Sequence, residues 1–259
     1  MAESLTRQDW EDGAACCLNK GRAGNARVYR VAVPGRGDVV IKDFRKSPWW
    51  IRWTWGRWMI GHEYALLKRL EGVEGVPQGV FRVDAYAFGM GCLPGETLGD
   101  LNQHNTWLVR GERQGVPRTV PVRFFRDLER LMCALHRRGV VHLDARNAKN
   151  VLVMPGGKPA LIDFQSGLVL RRVQPRWFRK LLMLADLSSV YKHYFRYYYD
   201  ARGKNFREAP GGFPRNRALI FMAHLRLRKL WMLKGYSFLS KRRVKDFEAA
   251  LNARFGAQS

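Results

Sequence analysis

The chain has 259 residues, enough for one two-lobed domain or two small ones, and its 46% hydrophobic content can fill a core, so disorder is not the starting assumption. Lys and Arg number 46 against 22 Asp and Glu, a formal net charge of +24, which points to an anionic partner such as nucleic acid, anionic lipid or a phosphorylated glycan, or else to a compositional bias toward solvated Arg. Cys16, Cys17, Cys92 and Cys133 have neither zinc-knuckle nor disulfide-framework spacing, the acidic N-terminus MAESLTRQDWEDG lacks the apolar segment of a secretory signal, and no uncharged apolar run approaches the roughly 18 residues of a membrane span, so a cytosolic chain is expected.

Residues 14–20 and 26–33 read as two short strands joined by Gly21-Arg22-Ala23-Gly24-Asn25. A Gly-bearing turn of this kind can lay backbone N–H groups over nucleotide phosphates, and it can equally be an ordinary hairpin. The next strand, Val39-Val40-Ile41-Lys42-Asp43-Phe44, alternates so that Lys42 shares a face with Val40 and Phe44. A lysine there either meets an anionic partner or snorkels from an edge strand.

From Ile60 to Leu70 the apolar positions recur at helical spacing, and Glu63 falls on that stripe between Ile60 and Leu67. A carboxylate buried there needs a cation, for which Lys42 is the candidate; at the stripe's margin it would be a surface residue. Between strand and helix lies a segment, residues 44–58, holding five of the nine Trp together with Arg45, Lys46, Arg52 and Arg57. That composition suits a membrane interface, base stacking on single-stranded nucleic acid, or a Trp pad against the N-terminal sheet.

Residues 80–91 are β-rich and lead into Cys92-Leu93-Pro94-Gly95-Glu96-Thr97-Leu98; residues from about 99 to 118 lack periodicity and read as a loop or insert. Pro121 can open a helix whose stripe is Val122, Phe125, Leu128, Leu131, Met132 and Leu135, ending at Gly139. Then comes VVHLDARNAKNVLVMPGGKPALIDFQSG, residues 140–167, with a hairpin expected from strands 151–153 and 160–162 around Pro155-Gly156-Gly157-Lys158-Pro159. Phosphoryl transfer needs a carboxylate to orient the attacking hydroxyl and oxygen ligands for Mg²⁺. Asp144 suits the first role, and Asn150 with Asp163, from the two hairpin strands, the second.

The pattern HLD…N…DFQ resembles the catalytic loop and metal-binding DFG element of the protein-kinase-like superfamily. The interval of thirteen residues from Asn150 to Asp163 is the one expected there. Asp144 and Asn150 are six residues apart rather than five, so Asn147 or a one-residue bulge enters the question of the metal site, and Gln165 stands where the motif has Gly. The resemblance, over residues 14–190, implies a two-lobed α+β fold: an N-terminal antiparallel sheet lobe with one main helix, about residues 14–92, and a mainly helical C-terminal lobe, about 93–255, in a single domain. It implies ATP and Mg²⁺ as cofactors. It implies that Lys42, in a strand like VAIK, holds the α- and β-phosphates paired with Glu63, that Gly21 and Gly24 cover the nucleotide, that residues 92–98 form the hinge, and that Asp186, on a helix over residues 177–198, braces the catalytic loop through its backbone amides. A surface position for Asp186 is the other reading.

Residues 168–176 are short for an activation segment and no APE-like sequence follows, which makes recognition of an extended peptide harder to argue. Residues 201–217 read as a loop, and 218–234 and 241–255 as basic amphipathic helices. Within the superfamily the compact C-terminal part and the Trp/Arg segment look most like bacterial lipopolysaccharide core kinases, of heptose or 3-deoxy-D-manno-octulosonic acid, and Rio-type small kinases. The resemblance implies a cytosolic enzyme, peripheral to the inner face of the membrane, that phosphorylates a sugar hydroxyl of a lipid-anchored glycan. A Rio-like protein kinase contacting RNA or ribosomes, and a non-catalytic pseudokinase scaffold, are the alternatives. An aminoglycoside-type kinase fits less well, because cationic substrates favour an acidic cleft.

Overall fold

The structure, a computed structural model, describes residues 7, 15–21, 25–33, 37–101 and 120–198. The expected loop over 201–217, the two basic helices after it, and Gly24 lie outside the described residues.

An antiparallel sheet comes first: β1 (Cys16–Asn19), β2 (Arg27–Val33), β3 (Gly37–Asp43), β4 (Phe81–Arg82) and β5 (Ala87–Gly91), in the order β1-β2-β3-β5-β4. β3 lies centrally, with Lys42 opposite Val28 on β2 and opposite Phe88 on β5. Its period-2 alternation sorts the two faces. Val39 and Ile41 pack with Val31 and Ala87 in one small cluster, while Val40 and Phe44 join the main core on the other side.

That other side is covered by α1 (Arg57–Arg69), which buries Met59, Ile60, Glu63, Leu66 and Leu67. The helix starts earlier than the sequence suggests. A first turn at Trp49–Ile51 runs into a π-helical stretch, Arg52–Gly56, and on into α1 without a break, so the Trp-rich segment is helical rather than a connecting insert. Its low helix propensity is overridden by packing. Ile51 and Gly56 are its buried residues, and a Cβ on Gly56 would come within 3.0 Å of Phe44 Cβ and Cγ, so only glycine lets the helix sit this close to the sheet.

Beyond the sheet come β6 (Glu96–Thr97), α2 (Val122–Arg137), β7 (Val140–Val141), β8 (Val151–Val153), β9 (Pro159–Leu161), β10 (Leu168–Val169) and α3 (Arg176–Tyr198). β6, β8 and β9 form a three-stranded antiparallel sheet, and β7 pairs with β10. The chain is therefore α+β, with an antiparallel sheet in its N-terminal part and helices later. Residues 98–101 are helical, so the expected loop over about 99–118 does not begin at 99; its residues 102–118 lie outside the described residues. Thr97 Oγ1 accepts from the Asp100 N–H at 3.1 Å and donates to Asp100 Oδ2 at 2.7 Å, which caps this turn.

α2 buries Phe124 in addition to Phe125, Leu128, Leu131, Met132 and Leu135, and packs against α3, β7 and β9. The main core is continuous from Phe44 and Phe88 through Leu66 and Leu70 to Leu128, Val151 and Phe164. No helix among the described residues is long and apolar enough to cross a membrane.

Candidate active site

Lys42 stands near the end of β3 on the face toward α1, 6% exposed. Its Nζ donates to Glu63 Oε1 and to Asp163 Oδ1, both at 2.7 Å. Burial alone would lower the lysine's pKa, but the two facing carboxylates outweigh it and hold the ammonium above its ordinary value. Glu63, 1% exposed, does more than pair with the lysine: Oε1 also accepts from the Phe164 N–H at 3.1 Å. One carboxylate oxygen thus ties β3, α1 and the segment after β9 together.

His142, Leu143 and Asp144 follow β7. His142 is fully buried, and its Nε2 donates to the Ile162 carbonyl at 3.0 Å, which leaves Nδ1 to accept from the Asp144 N–H at 3.3 Å. Its ring lies 4.6 Å from that of Phe164. Asn150 Nδ2 donates to Asp144 Oδ2 at 2.7 Å and to the Asp144 carbonyl at 3.1 Å. Burial pushes the Asp144 carboxyl above its ordinary range; His142, the Asn150 amide and Lys192 act against the rise, and the nearby Asp163 adds to it.

The extra residue between Asp144 and Asn150 is taken up by a 3₁₀ turn, Ala148–Asn150, whose first N–H groups are capped locally: Asn147 Oδ1 accepts from the Lys149 N–H at 3.2 Å. Asn147 is exposed and Asn150 buried. The structure brings Asn150, not Asn147, to Asp144. Asn150 also accepts through its carbonyl from the Ile162 N–H at 3.0 Å, one residue before Asp163. Asp163 and Leu143 are the two described non-glycine residues with left-handed backbone, at φ 64° and 61°. Such conformations cost free energy and persist where the surroundings over-determine them, commonly at functional sites.

The support for the Leu143 turn comes from α3. Asp186, 1% exposed, accepts from the backbone N–H groups of His142 and Leu143, each at 2.7 Å, and from His136 Nε2 at 3.1 Å. One turn or two further along, Lys192 Nζ donates to the Arg146 carbonyl at 2.8 Å and His193 Nε2 to the Ala145 carbonyl at 2.7 Å. Residues 142–146 are therefore held by one helix. His136, Lys192 and His193 were missed from sequence. The spacing of Asp186, Ser189 and His193 along one helical face was the available signal; nothing local pointed to His136.

Two further contacts reach the segment after Asp163. His62 Nε2 donates to the Gly167 carbonyl at 2.8 Å, and its ring stacks on Trp58 with centroids 4.9 Å apart. Gly21 has φ +65°, and its N–H donates to Asn19 Oδ1 at 3.0 Å, so this amide is used within its own turn.

The donor set fits a magnesium ion. Among the described residues no three His, Cys, Asp or Glu side chains gather as a metal cluster. Mg²⁺ characteristically takes one or two protein oxygens, with water and substrate phosphates completing its shell. Asp163 engages Lys42 through Oδ1 while its side chain stays 40% exposed, and Asn150 commits its Nδ2 to Asp144, which leaves Oδ1 for a cation.

No protein-family model matches the chain, and no curated protein matches it. Among solved structures it is similar to a crystal structure of the Rio2 kinase–ADP/Mg²⁺–phosphoaspartate complex from Chaetomium thermophilum, with 19% sequence identity, coverage of 97% of this chain and 75% of that one, and a TM-score of 0.48. At that identity and score the likeness bears on neither activity nor substrate.

Proposed function

We propose that the chain is a Mg²⁺- and ATP-dependent phosphotransferase acting on a hydroxyl of a sugar in lipopolysaccharide core or a related lipid-linked glycan at the cytosolic membrane face. The observation that carries the reading is the position of Lys42 Nζ, held at 2.7 Å from both Glu63 and Asp163 beside the Asp144–Asn150 pair. Catalysis of phosphoryl transfer is largely positioning and charge stabilisation, and this arrangement supplies fixed positive charge, oxygen ligands and a carboxylate in one place.

When bound, the magnesium ion would neutralise phosphate charge, with Asn150 and Asp163 as its protein ligands. Lys42 would hold phosphate oxygens, kept in place by Glu63. Asp144 would orient the acceptor hydroxyl: its oxygen attacks the γ-phosphorus, the bond to the leaving ADP oxygen breaks, and the hydroxyl proton passes to Asp144. Burial raises the basicity of this carboxylate.

An anionic glycan suits the net charge of +24. The segment after Asp163 is also closed in on itself: β10 pairs with β7, and the Leu170 N–H donates to the Gly139 carbonyl at 2.7 Å, which favours a compact acceptor over an extended peptide. The test is calorimetric titration with MgATP, followed by γ-phosphoryl transfer to core oligosaccharide, to a protein acceptor and to none. Wild type should bind nucleotide only with the divalent cation and transfer to the glycan. Asp144→Asn should bind equally and lose about 10²–10⁴-fold in turnover. Absence of nucleotide binding in wild type overturns the enzyme reading, and transfer to protein alone overturns the glycan.

A further inference from the structure

The helical segment leading into α1 carries Trp49, Trp50, Trp53, Trp55 and Trp58, each between 50% and 72% exposed. Burying one aromatic side chain removes about 150–250 Å² from water, and an exposed apolar patch beyond a few hundred Å² ordinarily marks an interaction surface. Five such rings within ten residues are therefore not core that happens to be visible. Their inward neighbours Ile51, Gly56, Met59 and Ile60 are buried against the sheet and core, which fixes the Trp-bearing side of the segment outward.

The cations among them face no carboxylate among the described residues, although Arg52 donates from a terminal nitrogen to the Arg45 carbonyl at 3.3 Å. Arg45, Lys46 and Arg57 are exposed and Arg52 half-buried, and among the described residues none of the four forms an ion pair with a carboxylate. Arg57 lies 5.7 Å from the Trp53 ring centroid and 5.8 Å from that of Tyr86, and Arg52 lies 5.7 Å from Tyr86. The chain thus presents rings and guanidinium groups interleaved on a rigid helical support.

We infer that this face docks on an anionic bilayer surface, with the Trp rings at headgroup depth and Arg45, Lys46, Arg52 and Arg57 against lipid phosphates. Trp and Arg on a helix lying along a membrane supply apolar burial and attraction to anionic lipid together. Single-stranded nucleic acid is the less favoured occupant. Base stacking needs open ring faces, but Trp55 lies against Trp58 at 5.1 Å and Trp58 is stacked on His62 at 4.9 Å, so those faces are filled. The inference is independent of the nucleotide site. Vesicle binding requires no ATP, so its failure leaves the phosphotransferase reading intact, and absence of nucleotide binding leaves the docking face intact.

The test uses the full chain, sedimented with vesicles of phosphatidylcholine alone or mixed with phosphatidylglycerol, without nucleotide. Binding is expected on the anionic vesicles only, with a blue shift of Trp emission and weakening as salt rises. Trp49→Ala/Trp50→Ala/Trp53→Ala should lower the partition at least tenfold, with circular dichroism unchanged. Should that variant lose its fold, Arg45→Gln/Lys46→Gln, whose side chains project into solvent, should lower partition by about fivefold per charge and flatten the salt dependence. Equal partition of wild type and both variants overturns the inference. So does protection of these Trp from a soluble quencher in the free protein, which would mean that the face is already covered, or tighter binding to single-stranded RNA than to the anionic vesicles.

Discussion

Asp186 Oδ1 accepts from the Leu143 N–H at 2.7 Å, and Leu143 is held at φ 61°, a left-handed conformation that a branched side chain adopts only under constraint. The buried carboxylate on α3 thus fixes the residue immediately before Asp144. Asp186→Asn leaves one acceptor oxygen for two backbone donors, and each stranded donor costs roughly 1–3 kcal/mol. Unfolding in urea should show a loss of that size. Hydrogen exchange at the His142 and Leu143 amides should accelerate beyond the global change, and turnover should fall as Asp144 loses its fixed position. Unchanged exchange at both amides would show that Asp186 does not hold the turn.

Lys42 and Glu63 should behave as one unit. Lys42→Met leaves Glu63, 1% exposed, with only the Phe164 N–H for a partner, and breaking a buried pair from one side costs about 3–5 kcal/mol. Lys42→Met/Glu63→Leu removes both charges and should recover a large part of that loss while remaining inactive. Thermal unfolding of the two singles and the double closes the cycle. A double variant whose loss equals the sum of the singles would mean that the two side chains are not coupled in solution.

The pH dependence of Asp144 has a definite sign. Burial raises its carboxyl pKa in the folded chain above the unfolded value near 3.9, so between those two values the native state holds a proton that the unfolded chain has released. Stability contributed by this group is present below the unfolded pKa and is lost as pH rises through the folded one. Asp144→Asn cannot ionise. Its stability relative to wild type should therefore grow with pH through that window and level off above it, even as turnover collapses. A difference that shrinks as pH rises would contradict the raised value.

Arg7 reaches 36 residues along the chain to Asp43, donating from both terminal nitrogens at 2.8 and 3.0 Å, and from Nε to Asp84. Asp43 is 2% exposed and Asp84 about a third exposed, so the arginine chiefly serves the buried carboxylate next to Lys42. Arg7→Ala should cost about 3 kcal/mol, the lower end for stranding a buried charge. Arg7→Lys should restore less than half, because a lysine cannot match the two-pronged geometry. Urea midpoints of the three proteins measure this directly, and a midpoint unmoved in Arg7→Ala would show that Arg7 does not hold Asp43 in solution.

Much of the site was legible because its signals are local. Alternation along Val39–Phe44 placed Lys42 on the core-facing side of β3, the 3.6-residue period placed Glu63 on the buried stripe of α1, and the Gly- and Pro-bearing turn set the hairpin that separates Asn150 from Asp163. Periodicity of this kind follows from backbone geometry and needs no knowledge of the rest of the chain. The ambiguity between Asn147 and Asn150 could not be resolved in that way, since a 3₁₀ turn and a bulge absorb one extra residue equally well until Asp144 selects a partner.

Only the tertiary structure decided the rest, because those features depend on partners far apart in sequence. Glu63 bonding the Phe164 amide spans 101 residues, and the cradle of residues 142–146 joins His136, Asp186 and His193 across the packing of α2 on α3. The Trp-rich segment is the plainest case. Composition allowed a core pad or an exposed face with equal ease, and the choice lay in the helix's rotation about its axis. That rotation is set by the approach of Gly56 to Phe44 and by the π-helical stretch from Arg52, neither of which has a period in the sequence; together they turn Ile51 inward and five tryptophans toward solvent.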